Sequence, residues 1–183
     1  HLAVDAFAPD FTPMFAPLAG EVFVVENRTG HLDYGGVIIL RHETPAGDAF
    51  YTLYGHLDPE CCERLKPGDK IAKGEEFCRL GDHTMNGGWA PHVHFQLALT
   101  TKGIEADWPG VGDPDEMYLW RAVCPNPAAL LNLEDKKCCY APTDKAQIRQ
   151  GRRDHFGDNL SLTYSDPVML LRGWKHHLFD EWG

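Results

Sequence analysis

The sequence predicts a mainly β protein, built on a curved antiparallel sheet or open barrel and followed by a short irregular C-terminal extension. Up to about residue 100 it consists of short β-type runs separated by Gly, Pro and Asp, without a convincing amphipathic helix. The connections between these runs are too short for the crossover helices that a parallel sheet requires. The runs cover residues 1–6, 20–26, 36–42, 49–57, 70–80 and 92–99.

Turn residues and a change in composition organise the next part of the chain. Residues 65–71 (LKPGDKI) and 72–75 (AKGE) place Pro and Gly around a β-hairpin-like corner. Residues 125–131 (PNPAALL) have the pattern of a helical turn that starts with Pro. We expect this turn to close a domain that covers residues 1–133.

The remaining residues are expected to form a linker and a small appendage. Residues 134–145 are charged and poor in apolar side chains, so we interpret them as the linker. In the last segment, residues 146–183, the pattern predicts a short helix near 145–156 and two strands within 159–183. A segment of about fifty residues or fewer is too short for an independent second domain.

Charge, cysteine content and the first residue limit the classes of function. The formal net charge of the 183 residues is −10 and no cluster of Lys and Arg offsets it, so neither a nucleic acid nor a membrane is expected as a partner. Six cysteines without a Cys-x-x-Cys motif are expected to be reduced thiols, which favours a cytoplasmic location over a secreted or periplasmic one. Because the chain starts at His1 without a signal segment, we expect a truncated or processed protein.

The ten histidines of the chain are unusual, and two short patterns among them suggest a site. His92 and His94 lie at positions i and i+2 of a predicted strand and therefore share a face. His1 and Asp5 share a face of an extended chain in the same way, and an imidazole and a carboxylate are both ligands for zinc. Taken alone each pair is a weak signal, because two surface histidines or a carboxylate that only orients His1 would give the same pattern.

A third pattern places Tyr54 and His56 on one face of a predicted strand, with Gly55 leaving room for a close approach to the backbone. A lone histidine on such a strand is usually structural. The remaining histidines, His42 among them, have no spacing that indicates a site.

Four motifs occur in a set order in the first half of the chain. They are HLAVD at residues 1–5, YGHL at 54–57, LKPGDKIAKG at 65–74 and APHVHF at 90–95. Together they resemble the lysostaphin or LytM-type zinc metallopeptidases, and the resemblance covers about residues 1–133. It implies the antiparallel fold of that family and the hydrolysis of Gly- or D-amino-acid-containing peptides of the peptidoglycan type.

The resemblance also implies a role for each site residue. One Zn2+ per chain would be held by His1, Asp5 and His94, and His56 and His92 would be catalytic. These two imidazoles would take a proton or hold the developing oxyanion, with roles that can be exchanged. Zinc lowers the pKa of a bound water toward about 7, which is the range in which histidine titrates.

The sequence departs from the family pattern near the expected site. Ala3 stands where a Gly is frequent, and Gln96 stands where a Glu is common. The loop before the paired histidines, residues 81–89, is longer and more polar than usual, so the edge of the substrate groove is expected to differ. None of these departures removes a ligand or a catalytic histidine.

The tail resembles a different family. Residues 157–164 (GDNLSLTY), Pro167 and residues 172–183 (RGWKHHLFDEWG) are similar to the opening segment of class III pyridoxal-phosphate aminotransferases. The chain stops before any catalytic core, so no transaminase activity or pyridoxal cofactor is expected here. The resemblance implies a fusion in cis to an aminotransferase-like domain, and it too favours the cytoplasm.

A zinc-dependent endopeptidase is therefore the leading hypothesis. The alternative is a non-catalytic metal-binding or scaffold module within a fused cytoplasmic aminotransferase-containing protein. A third reading is a hydrolase for a small amide or peptide that is unrelated to cell walls. Retention of all five site residues favours an enzyme over a binding module.

Overall fold

The structure is a computed structural model, and it describes residues 1–101, 108–133, 145–156, 168, 172–174 and 177–179. The chain divides into two compact units, His1–Cys138 and Cys139–Gly183. The predicted linker, residues 134–145, lies almost wholly outside the described residues, so its bounds stay a prediction. No helix among the described residues is long and apolar enough to cross a membrane.

The first unit is built on a six-stranded antiparallel sheet with the strand order β1-β8-β5-β4-β3-β6. Its strands are β1 (Val4–Phe7), β3 (Gly20–Arg28), β4 (Gly35–Glu43), β5 (Ala49–Leu57), β6 (Lys70–Ile71) and β8 (His92–Ala98). A second, two-stranded sheet pairs β2 (Pro13–Phe15) with β7 (Glu76–Arg79). The expected mainly β, antiparallel class is confirmed.

The central strand β4 explains why the large sheet is covered on both faces. Its apolar residues run without interruption, and successive side chains of a strand point to opposite sides. Ile38 and Leu40 enter one core cluster, which also contains Tyr54, whereas Val37 and Ile39 enter the other. Each such fully buried side chain contributes roughly 1.5–3 kcal/mol by its removal from water. The site described below lies on the side of the second cluster.

The sequence analysis predicted one strand over residues 70–80 beside a hairpin-like corner, and the structure shows that this prediction was wrong. Residues Lys70–Ile71 pair with β3, whereas residues Glu76–Arg79 pair with β2, so the two pieces belong to different sheets. Between them the backbone N–H of Glu75 donates to the carbonyl of Ala72, and Gly74 has a φ of +80°. This turn redirects the chain to a new partner strand instead of folding it back on itself.

The elements of the first unit that were not predicted include the short strand β2 and two α-helices. Helix α1 (Pro59–Arg64) has six residues, which is too short for a periodic pattern, although Asp58 accepts from the Glu60 N–H as an N-cap and Pro59 stands at its first position. Helix α2 (Met117–Val123) has seven residues and lies in a segment rich in Trp, Pro and Gly. The predicted helical turn near 125–131 is confirmed as a 3-10 helix over Pro127–Leu131.

The second unit contains helix α3 (Lys145–Phe156) and an antiparallel pair of strands, β9 (Arg172–Trp174) and β10 (His177–Phe179). A short helix and two strands were expected there from the sequence. The resemblance of residues 157–183 to an aminotransferase segment falls mainly outside the described residues. That resemblance stays a prediction.

A buried polar group lies in the sheet on strands β4 and β5. The Nδ1–H of His42 donates to the carbonyl of Ala19 over 2.8 Å, and its Nε2 is 2.7 Å from the hydroxyl of Thr52. The ring also stacks on Phe50, and only 3% of the residue is exposed. Burial lowers the pKa of His42 below its ordinary value, although the bond to Ala19 opposes this effect.

We expect the free energy of unfolding to decrease in acid because of His42. The pKa of His42 is lower in the folded protein than the ordinary value of 6.5, so its stabilising effect is complete above about pH 6.5 and is lost as the pH falls below it. The loss cannot exceed about 1.4 kcal/mol per pH unit, because a single group takes up one proton, and it ends once the pH is below the pKa of His42 in the folded protein. Urea unfolding of the wild type and of His42→Gln at about pH 7.5 and about pH 5.5 measures it. Equal pH dependence in the two proteins would contradict the assignment.

Candidate metal centre and active site

The site begins with the pairing of two strands that are distant in sequence. Strand β1 lies beside β8, and their register places Asp5 opposite His94 and Phe7 opposite His92. Directly opposed residues of an antiparallel pair share a face of the sheet. His92 and His94 share that face as well, as their i and i+2 spacing predicted, and both are almost fully buried.

His1, Asp5 and His94 form a cluster whose donor atoms all lie within 4.8 Å of one another. The Nε2 atom of His1 is 3.3 Å from Oδ1 of Asp5, and Nδ1 of His94 is 3.4 Å from the same oxygen. His1 precedes strand β1 and is half exposed, whereas Asp5 and His94 lie deeper in the protein. The structure therefore brings together the three residues that the sequence analysis named as metal ligands.

Hydrogen bonds determine which ring nitrogen of each imidazole carries a lone pair. Nδ1 of His1 lies 3.0 Å from the carbonyl of Ala3, and Nε2 of His94 lies 3.0 Å from Oε1 of Gln96. Both partners are acceptors, so these two nitrogens carry the hydrogens. The opposite nitrogens, Nε2 of His1 and Nδ1 of His94, carry the lone pairs, and these are the atoms that approach Asp5.

The chemistry of this donor set fits a zinc ion. Oδ1 of Asp5 is buried without a hydrogen-bond partner, which is costly for a carboxylate oxygen. Two imidazole lone pairs and one carboxylate oxygen facing one another repel unless a cation lies between them. Three such ligands, with the fourth position open to water or substrate, are typical of catalytic zinc. Hydrogen bonds from the non-ligating nitrogens are the usual support for histidine ligands.

The protonation state of Asp5 suits the same role. Burial raises the pKa of this carboxyl, but hydrogen bonds accepted from His1 and His94 when these rings are protonated outweigh burial and hold the pKa well below its usual range. The side chain is therefore ionised at neutral pH. Two neutral imidazoles and one carboxylate give a set of ligands with a single negative charge.

A pair of imidazoles lies next to this cluster. The rings of His56 and His92 are 4.3 Å apart between centroids, and Nε2 of His92 is 3.8 Å from Oδ2 of Asp5. Nδ1 of His92 donates to the carbonyl of Ala90 over 2.5 Å, and Nδ1 of His56 donates to the carbonyl of Asn86 over 3.0 Å. Burial, assisted by the neighbouring His92, lowers the pKa of His56 to about 3. His56 is therefore neutral, with Nε2 as its accepting nitrogen.

The position of His56 corrects one detail of the sequence analysis. Tyr54 packs on Phe77 and Phe95 in the first core cluster, whereas His56 contacts Tyr34, so Tyr54 and His56 do not share a face. A β-bulge is the reason. The pairing of β4 with β5 shifts between Gly36 and Ile38, and His56 has a φ of +63°. The extra residue reverses the alternation and turns the imidazole toward the site.

Tyr34 is a site residue that sequence reasoning missed. Its ring lies edge-on to His94 at 5.3 Å between centroids and 5.6 Å from His56, and its hydroxyl donates to the carbonyl of Trp108 over 3.3 Å. Gly55 leaves space for this ring, since a Cβ atom there would lie 2.4 Å from Cδ1 of Tyr34. No spacing relates Tyr34 to the histidines, so only the tertiary structure reveals this contact.

The polar loop at residues 81–89 supports His56 through Asn86, which the sequence analysis did not single out. The Asn86 side chain is fully buried; it donates to the carbonyls of Gly81 and Trp89 and accepts from the N–H of Trp89. These side-chain bonds hold the backbone carbonyl of Asn86 where it accepts the Nδ1–H of His56. His83, in the same loop, is exposed.

Several solved structures are similar to part of this chain. The catalytic domain of a mutant of the prophage-encoded M23 protein EnpA from Enterococcus faecalis is 27% identical, with a TM-score of 0.42, over 54% of this chain and 68% of that one. LytU is 22% identical, with a TM-score of 0.48, over 72% of each chain. The catalytic domain of the antimicrobial peptidase lysostaphin from Staphylococcus simulans is 24% identical, with a TM-score of 0.43, over 66% of this chain and 79% of that one.

These likenesses are partial, and a search of curated proteins found no significant match. The assignment rests on a family model instead. The model of peptidase family M23 matches residues 1–106, which is more than half of the chain and includes the five residues that the sequence analysis named for the site. The chain therefore belongs to peptidase family M23.

Proposed function

We propose that this peptidase is a zinc-dependent endopeptidase that hydrolyses Gly- or D-amino-acid-containing peptides of the peptidoglycan type. The observation that carries the proposal is the buried, unpartnered Oδ1 of Asp5, which two imidazole lone pairs face beside a second pair of histidines. Membership of the family supports peptide hydrolysis as the class of reaction. The chemistry of the three ligand residues supports zinc as the metal.

His1, Asp5 and His94 would hold the zinc ion. A zinc ion supplies Lewis-acid activation of a water molecule and of the scissile carbonyl. Hydrogen bonds from His1 to Ala3 and from His94 to Gln96 keep the two ligating nitrogens deprotonated and the rings oriented.

His56 and His92 would carry the protons of the reaction. Each ring is anchored through Nδ1 to a backbone carbonyl, which leaves Nε2 as the nitrogen that exchanges protons. One of the two would accept a proton of the attacking water at Nε2 and then transfer that proton to the leaving amine, and the other, when protonated at Nε2, would stabilise the developing oxyanion. Their separation of 4.3 Å lets both rings reach the same peptide bond.

Cleavage assays with defined peptides test the proposal. Glycine-rich peptides and D-Ala-containing muropeptides serve as substrates, and an unrelated L-peptide serves as the control. We expect cleavage that a zinc chelator abolishes and added zinc restores, with about one zinc ion per chain. Binding of a muropeptide without cleavage, at neutral pH and with zinc supplied, would instead establish the non-catalytic module. A cytoplasmic location and a fused aminotransferase-like domain remain proposals from the sequence alone.

A further inference from the structure

We propose that Gln96 and Cys124 are positioning residues that hold His94 in the tautomer able to bind a metal. This inference rests on the proposed metal centre. The two residues act as a chain of two hydrogen bonds that starts at His94 and ends at the C-terminus of helix α2.

The first bond joins His94 to the Gln96 amide. Nε2 of His94 lies 3.0 Å from Oε1 of Gln96, and an amide oxygen only accepts. The ring hydrogen must therefore be on Nε2, which leaves Nδ1 with its lone pair toward Asp5. If the amide were rotated by half a turn, its NH2 group would face Nε2. The hydrogen would then move to Nδ1, and the ligating nitrogen would be blocked.

The second bond favours the orientation in which the amide nitrogen faces Cys124. Nε2 of Gln96 donates to the sulfur of Cys124 over 3.3 Å. Gln96 is fully buried and Cys124 is 6% exposed, so water does not compete for either partner. Burial raises the pKa of Cys124, which keeps the sulfur a neutral thiol.

The backbone holds this sulfur in place. Cys124 caps helix α2 and donates its N–H to the carbonyl of Trp120 over 2.6 Å. The preceding carbonyl, that of Val123, accepts from the N–H of Leu99, the residue that follows strand β8. The end of the helix is therefore tied to the strand that carries His94 and Gln96. The tautomer of His94 depends on Cys124 only because residue 96 has an amide side chain. A carboxylate at this position would accept from His94 in either orientation.

The experiment measures zinc affinity by competition with a chelator, and it measures the tautomer of His94 by nitrogen NMR of the zinc-free protein. The variants are Cys124→Ala, Gln96→Glu, Gln96→Leu and the double variant Gln96→Glu with Cys124→Ala. Cys78→Ala is the matched control, since Cys78 is also a buried thiol but lies in the other core cluster. Thermal unfolding of each variant monitors the fold.

We expect Cys124→Ala and Gln96→Leu to weaken zinc binding by about 10-fold to 100-fold, the usual effect of removing a partner of a histidine ligand. In both variants the proportion of the Nε2–H tautomer should fall. Gln96→Glu should bind zinc at least as well as the wild type. In that background the loss of Cys124 should have no further effect on zinc affinity.

Three results would overturn the inference. Cys124→Ala could weaken binding equally in the wild-type and Gln96→Glu backgrounds, it could behave like Cys78→Ala, or the tautomer of His94 could be unchanged in Gln96→Leu. If a variant did not fold, Gln96→Glu and its double variant would still decide the question. A wild type that binds zinc but cleaves no peptide would refute the proposed function only. If the wild type bound no zinc, the change in the His94 tautomer between the wild type and the variants would still test the inference.

Discussion

Replacing His94 by Ala is expected to abolish zinc binding and peptide cleavage together. His94 is one of the three proposed ligands, and its loss would also leave Oδ1 of Asp5 facing a cavity. We expect the zinc content, measured by mass spectrometry of the purified protein, to fall from about one per chain to near zero. Cleavage should fall to the background level.

His83→Ala is the control for this experiment, because it removes an exposed loop imidazole and should change neither quantity. Asp5→Asn gives an independent test. It keeps the size of the side chain but removes its charge, so zinc content should again decrease. Full zinc content in His94→Ala would show that the cluster around Asp5 is not the metal site.

Replacing His92 by Ala should instead leave zinc in place and remove most of the hydrolysis. His92 is not among the three expected ligands, and its proposed role is to exchange protons with water, the amine or the carbonyl oxygen. General acid–base catalysis contributes about 100-fold to 10,000-fold, and kcat should fall by that amount. Steady-state kinetics and zinc analysis of the same sample measure both effects.

Replacing His56 is also expected to leave zinc in place and to remove most of the hydrolysis, but the substitution must suit the backbone conformation at this position. His56 has a φ of +63°, a conformation that costs roughly 1–2 kcal/mol for most L-residues but is better tolerated by Asn. His56→Asn is therefore the better variant, and His56→Ala is the harsher one. If His92→Ala and His56→Asn both cleaved as fast as wild type, the proposed proton transfer would be wrong even though the family is right.

Local patterns in the sequence predicted much of the sheet. Strand β5 begins and ends as predicted, and strand β8 was placed within one residue, because these strands are apolar runs between turn residues. The same local rule failed for residues 70–80. A short turn there sends the chain to a different sheet, and nothing in a window of eleven residues tells which strand will be the partner.

The sequence by itself determined that His92 and His94 share a face, because side chains alternate with a two-residue period along a strand. The five candidate site residues were chosen through motifs that resemble the lysostaphin or LytM-type peptidases, and spacing alone would not have selected them. Only the tertiary structure decided that Asp5 lies opposite His94, that a bulge turns His56 toward them, and that Gln96 meets Cys124. The physical reason is that strand register and helix docking depend on contacts between segments far apart in the chain. Alternation within one strand carries no information about which strand lies beside it.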